Sequence, residues 1–451
     1  MKKGGHSRQI DMLHGSLLDK IMMFAVPLAA SSMLQQLFNT ADLAVVGRFT
    51  GSQALAAVGG NSSVITLLIN LFVGISVGAN VVIANYIGQN KKQEVFEVIH
   101  TVITMALISG VFLLALGILV AKPILTLMNS PRDVIDLAVL YLRIYFLGMP
   151  FIMVYNFGAS ILRSVGDTKR PLLCLFISGI INVCLNLVLV VVFRLGVAGV
   201  AIATTVSNGV SAGLVMNFLL HEDDLIRVDL HKLMLHRTHM MRVIRIGVPA
   251  GIQGMVFSLS NVCIQAAING FGSNAIAGSA AAVNFEFFTY FITNAFSQAA
   301  VTFTSQNYGA RQYDRCRKIY RLTMLCGFIF TGILSMIFVL GRSVILRVYT
   351  VDPAVMEYAL IRVLHVEILT CLPITYEVTG AALRGIGYSM LPAILTVFGS
   401  CALRILWIYT VFRVNPTFSM LMSVYPVTWI ITGILVMGSY FLIRKKAFAA
   451  A

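Results

Sequence analysis

Asp42 sits in an apolar stretch, and Ser31, Gln35 and Asn39 precede it at steps of three or four. On a helix that spacing gathers all four on one face, and such a stripe cannot point at lipid. A second stripe, Ser178, Asn182 and Asn186, runs at steps of four in a later apolar stretch, and Thr204 and Thr205 follow in the next. One carboxylate with several neutral oxygens is the donor set a dehydrating Na⁺ prefers, while a carboxylate alone can carry a proton. The competing reading is structural, with Asp42, Asn182 and Asn186 serving as hydrogen-bonded ties between helices.

The second half of the chain carries different chemistry. Its position equivalent to Asp42 is Ile264, whereas Asn261 falls on Asn39. Glu286 is followed by Tyr290, Thr293 and Ser297 on one helical face, and Glu367 and Glu377 flank Thr370 further on. At a helical rise of about 1.5 Å per residue, Glu286 and Glu367 lie about 16 to 18 Å from the outer end, near mid-membrane, with Glu377 deeper. A carboxylate beside Phe285, Phe287, Phe288, Tyr290 and Phe291 suits a large organic cation, through charge and cation–π attraction. Against this, the aromatic run can simply pack or face lipid, and Arg404 can neutralise one of the glutamates.

These groups need elements to hold them. The chain of 451 residues is 58% hydrophobic and 11% charged, a composition of lipid-facing segments rather than of a soluble domain. Twelve apolar stretches are long enough to cross a hydrocarbon core at about 20 residues each. They lie near 17–47, 54–86, 95–121, 133–161, 171–193, 196–220, 240–269, 275–306, 318–340, 355–382, 392–412 and 420–443. The fold class expected is an all-α polytopic membrane protein.

The twelve stretches are one six-helix unit written twice. MFAVPLAASSMLQQLFNTADLAVV from Met23 aligns with RIGVPAGIQGMVFSLSNVCIQAAI from Arg245, so that Pro27 falls on Pro249. ALAAVGG from Ala54 then falls on AIAGSAA from Ala275, and SILRSVGDTKRP from Ser160 on AALRGIGYSMLP from Ala381. Six spans per unit bring both repeats into the membrane from the same side, so the repeats are parallel, as in many transporters. The domains expected are a cytoplasmic segment 1–16, an N-lobe 17–220, a cytoplasmic linker 221–239, a C-lobe 240–443 and a cytoplasmic tail 444–451. Lys2, Lys3, Lys91, Lys92, Lys169, Arg170, Arg242, Arg315, Arg317, Lys318, Arg444, Lys445 and Lys446 fall on the side of the termini, which the positive-inside rule makes cytoplasmic. Few basic residues fall outside, among them Arg48, Lys122, Arg132, Arg194, Arg342, Arg347 and Arg413, and Arg143, Arg362 and Arg404 lie within spans.

Several classes are disfavoured. The net charge of +15 is spread over membrane-proximal loops and offers no compact groove for nucleic acid. No GxxxxGK[ST] sequence is present, so direct ATP drive within the chain is disfavoured, and no enzymatic activity or cofactor is expected. The first span is too long for the apolar region of a cleaved signal peptide. The seven cysteines lack CxxC spacing, and they read as small packing residues. The linker histidines His221, His231, His236 and His239 are irregularly spaced among charges and read as a solvated surface helix rather than as metal ligands.

In order and spacing, NTADLAVVGRF (39–49), ALAAVGG (54–60), LRSVGDTKRP (162–171), SQNYGA (305–310) and LRGIGYSMLP (383–392) resemble the multidrug and toxic compound extrusion (MATE) family from about Gly15 to Lys446. The resemblance implies a V-shaped pair of six-helix lobes that exports amphipathic, often cationic compounds in exchange for Na⁺ or H⁺ by alternating access. It also implies a first-lobe cation site formed by an aspartate of the first helix, an Asn-x-x-x-Asp pair of the fifth and a threonine of the sixth. Asp42, Asn182 and Thr204 match that pattern, and Asn186 replaces the second aspartate. Where some members carry a glutamate in the seventh helix this chain has Phe257, which directs attention to Glu286 and Glu377 as the second-lobe carboxylate. The expected ion-coupling residues are therefore Asp42, Asn182, Asn186 and Thr204, with any Na⁺ held at Asp42. The expected substrate-binding residues are Gln35, Asn39, Asn261, Glu286, Tyr290, Glu367 and Glu377. A monomer in the cell membrane, in contact with lipid and handling small organic cations or other amphipathic compounds, is expected. The alternatives are a lipid-linked precursor or metabolite exporter of the wider flippase superfamily, or a receptor or scaffold that transports nothing.

Overall fold

The computed structural model describes residues 9–127, 134–222, 225–348 and 350–449. Lys2, Lys3 and Arg132 lie outside the described residues, as do positions 1–8, 223–224 and 450–451 of the expected cytoplasmic segments.

The first six spans are α1 (Leu17–Phe49), α2 (Ser52–Gly88), α3 (Lys92–Leu127), α4 in two segments (Ile135–Leu147 and Met149–Ser164), α5 (Lys169–Asn186) and α6 (Gly196–Leu220). The second six are α7 (Arg237–Asn269), α8 (Ser273–Gly309), α9 (Tyr313–Ile345), α10 in pieces, α11 (Met390–Val414) and α12 (Phe418–Ala449). Among the described residues ten helices are long and apolar enough to cross a membrane by themselves, and the two segments of α4, bent by 47°, make an eleventh span. Pro150, in the first turn of the second α4 segment, lacks the N–H that a continuous helix would need there. The twelfth stretch is α10, broken into Pro353–His365, a 3₁₀ turn at Glu367–Leu369 and Ile374–Gly385. Pro373 heads the last piece, again where a helix cannot continue.

The duplication is visible in the backbone. Left-handed residues recur in pairs at the same sequence separation: Gly51 and Gly272, Asn90 and Arg311, Gly166 and Gly387. Gly51 and Gly272 turn the chain into α2 and α8 at φ +91°, a conformation a side chain would strain. α5 and α11, equivalent in the two repeats, both pass through a π-helical turn, at Leu187–Val192 and Val397–Ala402.

The contacts divide the chain into two compact units whose limits differ from the expected lobes. Unit 1 comprises 1–11 and 30–248, and unit 2 comprises 12–29 and 249–451. The breaks fall within two residues of Pro27 in α1 and at Pro249 in α7. In unit 1 the first part of α7 packs on α2 so closely that a Cβ on Gly247 would lie 2.9 Å from the carbonyl oxygen of Gly74. In unit 2 the first part of α1 packs on α8, with Phe24 edge-on to Phe303 at 5.6 Å and Asn307 donating to the Met12 carbonyl.

Unit 1 has a core of Val98, Val102, Ile103, Phe146, Met153, Phe157, Val200 and Val215, all buried. Unit 2 is filled by Val366, Tyr376, Leu421, Met422 and Trp429 and, separately, by Phe285, Val339 and Val363. Leu119, Val192, Leu340, Ile434 and Leu442 leave apolar side chains exposed on the outside, as a lipid solvent permits.

The linker departs from the sequence reading, because it is not a surface helix. Among its described residues before α7 begins at Arg237, the regular piece is the 3₁₀ turn Leu230–Lys232, capped by Asp229, whose carboxylate accepts from the His231 N–H at 3.0 Å. That bond holds the Asp229 carboxyl below its ordinary range. The linker lies on α3 instead. The Asp229 N–H donates to His100 Nε2 at 3.0 Å and the His236 N–H to the Thr101 hydroxyl at 3.2 Å, so backbone groups that would otherwise need water are satisfied by side chains of α3.

Candidate functional site

The four residues expected to couple ions come together in unit 1. Asn186 Nδ2 donates to Asp42 Oδ1 at 2.5 Å and lies 3.2 Å from Asn182 Oδ1. Asn182 and the Thr204 hydroxyl are also hydrogen-bond neighbours of the Asp42 carboxylate. Asn182 Nδ2 reaches the Ser207 hydroxyl at 3.4 Å, and that hydroxyl donates to the Thr204 carbonyl at 2.9 Å. The stepping by four along α5 places both amides on the face turned to α1 and α6. Asn186 is fully buried, yet its Oδ1 has no hydrogen-bond partner among the described residues. A buried amide oxygen left bare costs about 1 to 3 kcal/mol, so this one is placed for a donor or a cation. The cluster offers one formal negative charge and several oxygens.

Gln35 and Asn39 remain exposed on α1 and do not join the cluster. Ser207 is the member that the sequence reading missed. It lies three residues after Thr204, a spacing that places the two on one face of α6.

In unit 2 the expected residues form several separate sets. Glu286 is held by Arg362 in a two-pronged pair, Nε to Oε1 at 2.6 Å and Nη2 to Oε2 at 2.9 Å. Arg362 also donates to the Ser279 hydroxyl at 2.6 Å and lies over the Tyr425 ring. The sequence offered Arg404 as one way to neutralise one of the glutamates, and for Glu286 the structure supplies Arg362. The reason is geometric, since Arg404 lies instead between the rings of Phe257 and Tyr425, 5.0 and 4.8 Å from their centroids, and donates to Asn261 Oδ1 at 3.0 Å. Glu286 thus has its charge balanced in place and is not a bare carboxylate awaiting a cation.

Glu367 is fully buried, accepting from the Thr289 hydroxyl at 2.5 Å and the Thr370 hydroxyl at 3.2 Å. Glu377 interacts electrostatically with Arg384 and with Tyr290, whose side chain is partly exposed. Arg384 Nη1 donates to Gln253 at 3.3 Å. Among the described residues unit 2 buries three arginines, Arg362, Arg384 and Arg404, in the same helices or beside the same groups as Glu286, Glu367 and Glu377. A charged residue in an apolar stretch calls for a partner, and that was the available signal for Arg362, whereas Arg384 lies past the end of its apolar stretch.

Comparison with known proteins gives a consistent result. The MatE family model matches residues 27–188 and 249–410, once in each repeat. The probable multidrug resistance protein YoeA of Bacillus subtilis strain 168 is 26% identical over 440 residues, 96% of this chain and 95% of its own. A MOP superfamily transporter from Pyrococcus furiosus superposes with a TM-score of 0.88 at 22% identity, over 97% of both chains. A MATE structure in complex with MaL6 gives 0.90 at 20% identity, over 97% of this chain and 98% of that one. At such identities the structures speak for the fold.

Proposed function

The chain belongs to the MatE family of multidrug efflux transporters, and from that premise we propose that it is a secondary antiporter. It exports amphipathic small molecules, cationic ones among them, from the cytoplasm by alternating access, driven by an inward flow of protons. Both termini face the cytoplasm in this reading, which the distribution of Lys and Arg supports.

The observation that carries the coupling role is the cluster around Asp42. It is the single carboxylate of the unit 1 oxygen cluster, and it is surrounded by groups that hydrogen-bond either protonation state. An amide can turn its N–H toward a carboxylate and its oxygen toward a carboxylic acid, so Asn186 serves Asp42 before and after proton uptake. With Asn186 in place of a second acid, an ion at this site would meet one negative charge only, and dehydration of Na⁺ is harder to offset. In this reading a preference for cationic substrates does not rest on Glu286, since Arg362 balances its charge.

A second reading, Na⁺ coupling, is favoured by the bare Asn186 oxygen, which together with Asp42, Asn182 and Thr204 supplies an all-oxygen ligand set. The two are separated in proteoliposomes loaded with a fluorescent organic cation. At fixed pH, with the proton gradient collapsed by an uncoupler and a Na⁺ gradient imposed, proton coupling requires that export stop. Robust export under those conditions would overturn the proton assignment and establish the Na⁺ reading.

A further inference from the structure

Glu94, Glu97, Thr101 and Thr104 follow one another along the start of α3 at steps of three or four, a polar stripe on one helix face. The threonines and His100 meet the linker backbone. The two glutamates meet the start of α7. His239 Nε2 lies 3.1 Å from Glu97 Oε2 and 3.4 Å from Glu94 Oε2, and the three donor atoms all lie within 4.8 Å of one another. His236, one turn earlier, places its Nδ1 4.0 Å from the same Glu97 oxygen.

Hydrogen bonding alone does not satisfy this arrangement. The His239 side chain is buried, and its Nδ1 has no hydrogen-bond partner among the described residues. A ring protonated on Nε2 offers a single N–H to two carboxylates, so one of them goes without it, whereas a cation bound at Nε2 can meet both. Two nearby basic side chains have other direct partners among the described residues. Arg242 bonds the Tyr86 hydroxyl and stacks on its ring, and the Lys232 ammonium lies over Phe96 at 5.7 Å. Gln93 donates to Glu97 Oε1 at 2.9 Å, and Tyr86 meets Glu94, which orients both carboxylates from behind. Two carboxylates and an imidazole nitrogen converging without a basic residue between them are a ligand set for a divalent metal.

The spacing agrees. A tetrahedral Zn²⁺ with ligands at about 2.0 to 2.2 Å has ligand-to-ligand edges of about 3.3 to 3.6 Å, close to the two separations observed. We propose that Glu94, Glu97 and His239 form a transition-metal site of the Zn²⁺ class, His236 or water filling the fourth position, that clamps the start of α7 to α3. The imidazole donor selects against Mg²⁺ and Ca²⁺, which favour oxygen ligands alone. The site shares no residue with the Asp42 cluster and does not depend on the coupling ion assigned there.

The test is calorimetric titration of Zn²⁺ into the full-length protein in detergent, freed of any affinity tag, near neutral pH where imidazole is largely unprotonated. The expected result is one saturable site per chain, weakened at least about tenfold in Glu97→Gln and in His239→Asn, with Mg²⁺ failing to compete. Should His239→Asn fail to fold, Glu94→Gln at the partly exposed Glu94 provides the same comparison. X-ray absorption at the zinc edge should find nitrogen and oxygen neighbours. Absence of saturable binding, equal affinity in wild type and variants, equal Mg²⁺ affinity, or sulfur in the zinc shell would each overturn the proposal.

Discussion

Asn186 donates to Asp42 across 2.5 Å while its own buried carbonyl oxygen finds no donor among the described residues. The amide is therefore only half used by the resting cluster. The other half is available to whatever cation or proton arrives, which makes this pair the place where coupling is most open to test.

Replacing the acid removes the titratable group but keeps its shape. Asp42→Asn should lower gradient-driven export at least about tenfold, a loss of about 1.4 kcal/mol or more in transition-state terms, while folding stays near wild type. Efflux from proteoliposomes, set beside a thermal melt of the purified variant, measures both. Export at the wild-type rate would remove Asp42 from the coupling step.

Adding an acid should shift the ion. Asn186→Asp places a second carboxylate beside Asp42, a charge pair that favours Na⁺ or a shared proton. The expected outcome is a rise in Na⁺-driven relative to proton-driven export. An unchanged ratio under separately imposed gradients would show that Asn186 has no part in ion choice.

The Glu286 and Arg362 pair should behave as structure. Glu286→Gln leaves a buried guanidinium without its counter-charge, and breaking such a pair costs about 3 to 5 kcal/mol. Replacing both residues by methionine should cost much less than either single change to methionine. Denaturation of the four proteins in one detergent gives the cycle, and additive effects would contradict the pairing.

Backbone contact between α2 and α7 predicts a size limit. Gly247→Leu should destabilise the protein by about 1 to 3 kcal/mol or more, since its Cβ meets the backbone of Gly74 and Ile75. Gly438→Ala, at an exposed position of α12 with open space around it, should instead stabilise by up to about 1 kcal/mol through helix propensity. Thermal midpoints that move together would refute the assigned contact.

The helices were legible because hydropathy over a span length is a local property, and the repeat because Pro27 with Pro249 and ALAAVGG with AIAGSAA recur at nearly one separation. The Asp42 cluster was partly legible. Steps of four along α5 set Asn182 and Asn186 on one face, but which neighbour that face meets is a tertiary fact. The same limit explains Arg362, which was visible as a charge in a span with nothing in the sequence to choose between Glu286, Glu367 and Glu377 as its partner. His236 and His239 were read as solvated because the linker around them is polar, whereas a matching polar stripe on α3 receives them. Composition reports that a segment carries polar groups. It does not report whether water or protein will satisfy them.

The exchange of helix segments at Pro27 and Pro249 bears on ancestry. A cut within the linker would yield two halves, each lacking a segment that its own unit packs around: α1 up to Ala29 for unit 2, and α7 up to Val248 for unit 1. Each half would thus have to fold without a segment that its unit packs around in the whole chain. A single-repeat forebear could have met the same packing only by lending its first helix to a second copy, a swapped dimer whose integrity would depend on concentration. In a single chain the loan is internal: the linker replaces an encounter between chains by a tether, and each repeat can differ in its acids. Asp42 facing Ile264 across the repeat is a mark of that freedom.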